Sequence, residues 1–139
     1  MKAVIDTRFL LVHFLSQDDQ SKRWTRITLE NLQKGESLGI IPSIVIHEFY
    51  KFELDNLGKE VADIRVNSVL KSRLNIVNLD TSIAIEAARL RCKYADLPTA
   101  DAIIAATAIK TSSECVLTDD KHIKQIKETK ARWIPTTHP

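Results

Sequence analysis

Acidic residues recur at one kind of position along this chain. Asp6 closes the apolar run Lys2-Ala3-Val4-Ile5, and Asp120, with Asp119 beside it, follows Cys115-Val116-Leu117-Thr118. Glu48 rides the helix-like segment after Ile40-Ile41-Pro42, and Asp101 opens the apolar stretch Ala102 to Ala108. Strands that end on carboxylates point to one acidic pocket at one edge of a sheet. Carboxylates brought together repel one another unless a cation fills the space between them. Hard oxygen donors of this kind suit Mg²⁺ or Mn²⁺, as one or two ions. A metal held there orients a water, lowers its pKa and stabilises charge on a phosphodiester in the transition state.

Taken singly, each acid has a simpler role. Asp6 can end a strand and cap the next helix. Glu48 can pair with Lys51 or Lys22 on a wet helix face. Asp101 can complement a helix dipole. Asp119 and Asp120 can form a turn followed by an N-cap. None of these explains why all four positions are topologically alike.

The elements that must position these acids follow from apolar periodicity. Short apolar runs alternate with longer helical patterns, the signature of an α/β fold with a parallel sheet. Strands are expected over Lys2–Ile5, Ser37–Ile41, Leu74–Val77, Glu114–Leu117 and Arg132–Ile134. Between them, one helical face carries Phe9, Leu10, Phe14 and Leu15, a second Trp24, Ile27 and Leu32, and a third Ile44, Val45, Phe49 and Phe52. Asp80-Thr81 reads as a capped helix start, and Thr99 after Pro98 as the N-cap of a helix with Asp101 in its first turn. The segment Ala102 to Ile109 is apolar on nearly every side, so that helix should be central and buried. Gly35 and Gly39 suggest a turn before the second strand, and Gly58 a break between two helices.

With 139 residues, 44% hydrophobic and 27% charged, the chain has the composition of one soluble globular domain spanning 1–139. Three Gly and four Pro leave little room for linkers. A net charge of +2 is too mild to establish a nucleic-acid partner by itself. Cys92 and Cys115 lack metal-ligand spacing and read as two buried thiols in a reducing compartment. No apolar run approaches the ~20 residues needed to span a bilayer, and Asp6 and Arg8 interrupt the first apolar stretch, so a cytoplasmic protein is expected.

The ordered stretches Ala3-Val4-Ile5-Asp6-Thr7, Ile44-Val45-Ile46-His47-Glu48, Leu97-Pro98-Thr99-Ala100-Asp101 with Ala102 to Ala108, and Val116-Leu117-Thr118-Asp119-Asp120-Lys121 resemble those of PIN domains. Within that family the chain is similar to the small ribonuclease toxins of the VapC type. The third stretch is the most specific, while Leu54 to Arg73 adds nothing to the likeness. The resemblance implies a three-layer α/β/α domain with a mainly parallel sheet of about five strands. It implies that Asp6, Glu48, Asp101 and Asp120 are the catalytic, metal-binding acids. Thr7 and Thr118 would supply hydroxyls that orient a carboxylate or a water, and Asp119 would be a supporting or alternative ligand. It also implies a homodimer and an antitoxin partner laid across the site. Cleavage would leave a 5′-phosphate and a 3′-hydroxyl.

The chain departs from the family pattern in places. Arg8 stands where a small polar residue is frequent, so it either reaches a substrate phosphate or neutralises the pocket. His122 and Ile123 replace a common Asp-Phe pair, which removes one further acid. Beyond the acids, Lys121, Lys124, Lys127 and Lys130 stand among Ile123 and Ile126, which should face inward. Arg8, Lys121 and Lys124 are thus candidates for RNA contact, against the alternative of a merely solvated helix. Lys22, Arg23 and Arg26 form a second basic cluster that could flank the same pocket. Phe49, Tyr50 and Phe52 cannot all share one helix face, so one of them should be exposed or sit at an interface.

The expectation is a Mg²⁺- or Mn²⁺-dependent endoribonuclease, the toxin of a toxin–antitoxin pair. Its alternatives are a housekeeping RNA-processing nuclease and a catalytically silent PIN module that scaffolds RNA or protein. A haloacid-dehalogenase-type phosphatase fits worse, because Arg8 stands where its second Asp belongs. A receiver domain fits worse as well, lacking the paired acids after the first strand.

Overall fold

A computed structural model describes residues 1–134 of the chain. Five strands form one sheet: β1 (Lys2–Ile5), β2 (Leu38–Pro42), β3 (Asn75–Val77), β4 (Cys115–Leu117) and β5 (Ala131–Arg132). Their spatial order is β3-β2-β1-β4-β5, and every pairing is parallel. Successive strand residues point to opposite faces. Because Ala3, Val4 and Ile5 of β1 and all of β4 are buried, both faces of the sheet are covered, giving three layers.

The covering helices are α1 (Thr7–Leu15), α2 (Asp19–Leu32), α3 (Ser43–Leu57), α4 (Lys59–Leu70), α5 (Thr81–Lys93), α6 (Thr99–Lys110) and the short α7 (Lys121–Lys124). The apolar sequence of α6 is explained by its place. Its residues Ala102 to Ala108 are all buried, between the sheet-side core and a second core shared with Ile83, Ala87 and Leu90 of α5. Phe9, Leu10, Leu32, Val45 and Phe49 complete the first core from α1, α2 and α3. Gly58 lies between α3 and α4 with φ +86°, a backbone state that favours glycine.

Some expectations shift. Gly39 belongs to β2 rather than to a turn, and a Cβ there would meet Leu74 Cδ2 at 2.5 Å. The turn before β2 is made by Gly35, with φ +57°. The last strand is Ala131–Arg132, not Arg132–Ile134, because Trp133 packs edge-on against Trp24 and Phe9. The cap of α6 is Pro98, whose extended backbone (ψ 152°) leaves Thr99 as the first helical residue without a side-chain cap. Asp80 does cap α5, accepting from the Ile83 amide. Cys115 is buried, and burial pushes its thiol pKa up, but Cys92 is exposed because it falls on the outer side of α5. Phe49 is buried whereas Phe52 is exposed, since the buried line of α3 runs through Val45, Phe49 and Glu53 at intervals of four and Phe52 falls to one side of it. Ile27 of α2 is also exposed.

Candidate active site

Chain order around the sheet places the site. From β1 the chain builds outward through β2 to β3, then returns to the other flank of β1 for β4 and β5. The order therefore reverses between β1 and β4, and ligands of open α/β sheets bind at the carboxyl ends of strands at such a reversal. Ile5 pairs with Leu117 in register. The next residues on each strand are Asp6 and Thr118, so they emerge side by side.

Hydrogen bonds tie the acids from different elements together. Thr118 Oγ1 donates to Asp6 Oδ2 at 2.5 Å, across 112 residues of sequence. The same Thr118 hydroxyl accepts from the Asp120 amide at 3.0 Å. Asp6 Oδ1 accepts from the Thr7 amide at 2.7 Å, which also makes Asp6 the N-cap of α1. Thr7 Oγ1 then reaches α3, donating to Glu48 Oε1 at 2.7 Å. Asp120 caps α7 by accepting from the His122 amide at 2.8 Å. Asp101 stands in the first turn of α6. Capping and site geometry are thus two uses of the same carboxylates, as Asp6 and Asp120 both show.

Electrostatics brings Asp101 into the same group. Burial first, then the negative charges of Asp120, Asp6 and Glu48, raise its pKa to about 7. Asp6, only 3% exposed, is raised to about 6, chiefly by burial, with smaller contributions from Glu48 and Asp120. The hydrogen bonds from Thr118 and Thr7 pull it the other way. Glu48 pairs with neither Lys51 nor Lys22; Lys51 bonds Asp55 instead.

Among the described residues, no three His, Cys, Asp or Glu side chains are already closed around a metal position. Burial and then the charges of Asp120, Asp6 and Glu48 act on Asp101, so the four acids lie within electrostatic reach of one another. The chemistry of the donor set fits Mg²⁺ or Mn²⁺: it is all-oxygen and anionic.

Arg8 and Asp119 form a pair of their own. Arg8 Nε donates to Asp119 Oδ1, and Arg8 Nη2 donates to Oδ2 at 3.0 Å. Arg8 is thus not bonded to any of the four acids. Lys121 and Lys124 are exposed on α7 while Ile123 and Ile126 are buried, so the basic side chains stand in solvent just after Asp120. Lys22 of the second basic cluster stands near the C-terminal end of α1. Lys22 acts on His13, lowering its pKa after burial does. His13 is six residues along α1 from Thr7, roughly 9 Å at the helical rise. A groove of about 470 Å³ opens beside Glu48, lined by Ile44, His47, Lys51, Phe52, Thr99 and Ile103. It is the place where exposed Phe52 finds its surroundings.

A family model for the PIN domain matches residues 3–129. The chain belongs to the PIN domain family. Among curated proteins none matches it. Solved structures do. VapBC2 from Rickettsia felis, bound to a DNA fragment from its promoter, aligns with a TM-score of 0.78 at 20% identity, over 96% of this chain and 98% of that one. FitAcB from Neisseria gonorrhoeae aligns at 0.71 with 19% identity, over 93% and 95%. VapC20 from Mycobacterium tuberculosis, a toxin that cleaves the sarcin–ricin loop, aligns at 0.70 with 14% identity, over 88% and 93%. At these identities the likeness is one of fold, and the all-parallel five-stranded sheet of this PIN domain is what it matches. No helix among its described residues is long and apolar enough to cross a membrane.

Proposed function

We propose that this PIN domain, as a single unit over 1–139, is a metal-dependent endoribonuclease and the toxin of a toxin–antitoxin pair. One observation carries the nuclease reading: acids from four distant segments lie within electrostatic reach of one another at the reversal of strand order, where burial and then their charges raise Asp101 to about 7. Such an arrangement is destabilising by itself and becomes favourable with a divalent cation. Asp6, Glu48, Asp101 and Asp120 would hold Mg²⁺ or Mn²⁺. That ion supplies polarisation of a water and of the phosphodiester oxygens.

The chain's own residues do the rest. The Thr118 hydroxyl and the Thr7 amide fix both oxygens of Asp6, and the Thr7 hydroxyl fixes Oε1 of Glu48, so each carboxylate is held in one orientation. Lys121 and Lys124, exposed beside Asp120, supply positive charge for a nucleic-acid backbone. Contacts of this kind position a strand without reading its bases. The toxin reading and an antitoxin partner are supported by the kinship in fold with VapBC2 and FitAcB; a homodimer is part of the proposal through membership of the PIN family.

The test is cleavage of single-stranded and structured RNA with Mn²⁺ or with EDTA, beside an Asp101→Asn variant. Cleavage that needs Mn²⁺ and disappears in the variant is the expected result. Cleavage that persists in the variant points to a contaminating nuclease. RNA binding without any cleavage would favour a scaffold.

A further inference from the structure

Arg8 occupies an unfavourable place for a purely structural residue. It is the second residue of α1, where a cation opposes the helix dipole. Its side chain is 53% exposed, so apolar packing does not hold it there. It is held instead by both oxygens of Asp119, through Nε and Nη2. That double grip takes both Asp119 oxygens, while the neighbouring Asp120 turns Oδ1 to the His122 amide. Asp119 therefore serves the arginine.

A planar guanidinium that grips a carboxylate at two points grips a phosphate in the same way. Arg8 also lies within electrostatic reach of Asp120 and Asp6, which places its charge at the mouth of the acidic array. An exposed ion pair is weak, so exchanging Asp119 for another anion costs little. We infer that Arg8 is the residue that grips an RNA phosphate at this site, and that Asp119 is its exchangeable resting partner. A phosphodiester entering the site takes over the guanidinium, and the Asp119 carboxylate is released to solvent. This assignment rests on the nuclease reading above and adds a substrate-contacting residue to it. It also removes Asp119 from the set of metal-binding acids.

The test combines cleavage kinetics with RNA binding. Kinetics use full-length chains carrying Arg8→Ala, Arg8→Lys, Asp119→Asn or both Arg8→Ala and Asp119→Asn. Binding is read by fluorescence anisotropy of labelled RNA in Mg²⁺, with Asp101→Asn added to each chain to prevent turnover. Arg8→Ala should raise KM about tenfold and lower the slope of log affinity against log salt by about one. Arg8→Lys should recover only part, since an ammonium lacks the fork. Asp119→Asn should lower KM and tighten binding, an effect that vanishes once Arg8 is Ala. Thermal melts of every variant separate these changes from loss of fold. An unchanged KM and salt slope in Arg8→Ala would overturn the assignment while leaving the nuclease intact. So would Asp119→Asn weakening RNA as much as Arg8→Ala, the behaviour of a brace between α1 and α7. A parent protein that neither cuts nor binds RNA would remove the nuclease reading and this assignment together.

Discussion

Helix α3 carries two glutamates with opposite surroundings. Glu53 is fully buried and is gripped by Arg65 of α4, whose Nη1 donates to both of its oxygens at 3.1 and 3.2 Å. Arg65 in turn stacks over the Phe14 ring. Five residues earlier, Glu48 receives a hydroxyl from Thr7 and faces Asp6, Asp101 and Asp120. The α3–α4 region thus answers a buried carboxylate with an internal cation. At the sheet edge, carboxylates are answered by hydroxyls, amides and one another. A closed ion pair of the first kind holds structure, whereas an open array of the second kind is the one proposed to take a cation from outside.

The sharpest way to break this contrast is to remove one charge from each region. Asp101→Asn should lower Mn²⁺-dependent RNA cleavage about a thousandfold, the scale of losing an electrostatic element of a reaction site. Its melting temperature in EDTA at pH 8 should be equal to or above that of the parent, because a repulsive charge is gone. Arg65→Met should do the reverse. It strands the Glu53 charge and should cost about 3 kcal/mol in urea unfolding, the lower end for a broken buried pair because Arg65 is partly exposed. Cleavage per folded molecule should hold.

Smaller effects sharpen the picture. Thr118→Val removes the hydroxyl between Asp6 and the Asp120 amide and should cost about 1 kcal/mol of stability. The loosened Asp6 should slow cleavage about tenfold, with KM little changed. The smallest effect is on pH. Asp6 at about 6 and Asp101 at about 7 both lie above the ordinary 3.8. A carboxyl raised on folding contributes stability that is full below about pH 4 and is lost as pH rises through 6 and 7. In EDTA the parent should therefore melt lower at pH 8 than at pH 5, measured relative to an Asp6→Asn, Asp101→Asn double variant. Equal pH profiles for the two proteins would show that neither burial nor the neighbouring acids raise these two carboxyls in the folded chain.

The fold was largely legible because periodicity and burial agree. The runs around Val4, Ile40 and Val116 are buried on both faces, which only the centre of a parallel sheet provides. Asp6, Asp101 and Asp120 could be picked out because each follows a strand or opens a helix, whereas Glu48 lies six residues into α3. What escaped were pairings across long separations. Nothing in local sequence joins Arg8 to Asp119, 111 residues away. Glu53 left a trace that could have been followed: Val45, Phe49 and Glu53 share one helical face at intervals of four, so an acid there must meet a buried cation. The edge strand was misplaced because Trp133, a good strand former, is drawn onto Trp24, with ring centroids 5.2 Å apart. Tertiary packing outweighed strand propensity at that point.

The central claim is that the four acids form one site completed by a divalent cation. Mn²⁺ titrated against the thermal stability of the parent and of Asp101→Asn at pH 7.5 tests it most directly. The account predicts a saturable rise in melting temperature for the parent, abolished by EDTA and strongly reduced in the variant. No rise in the parent, or the same rise in both proteins, would contradict it.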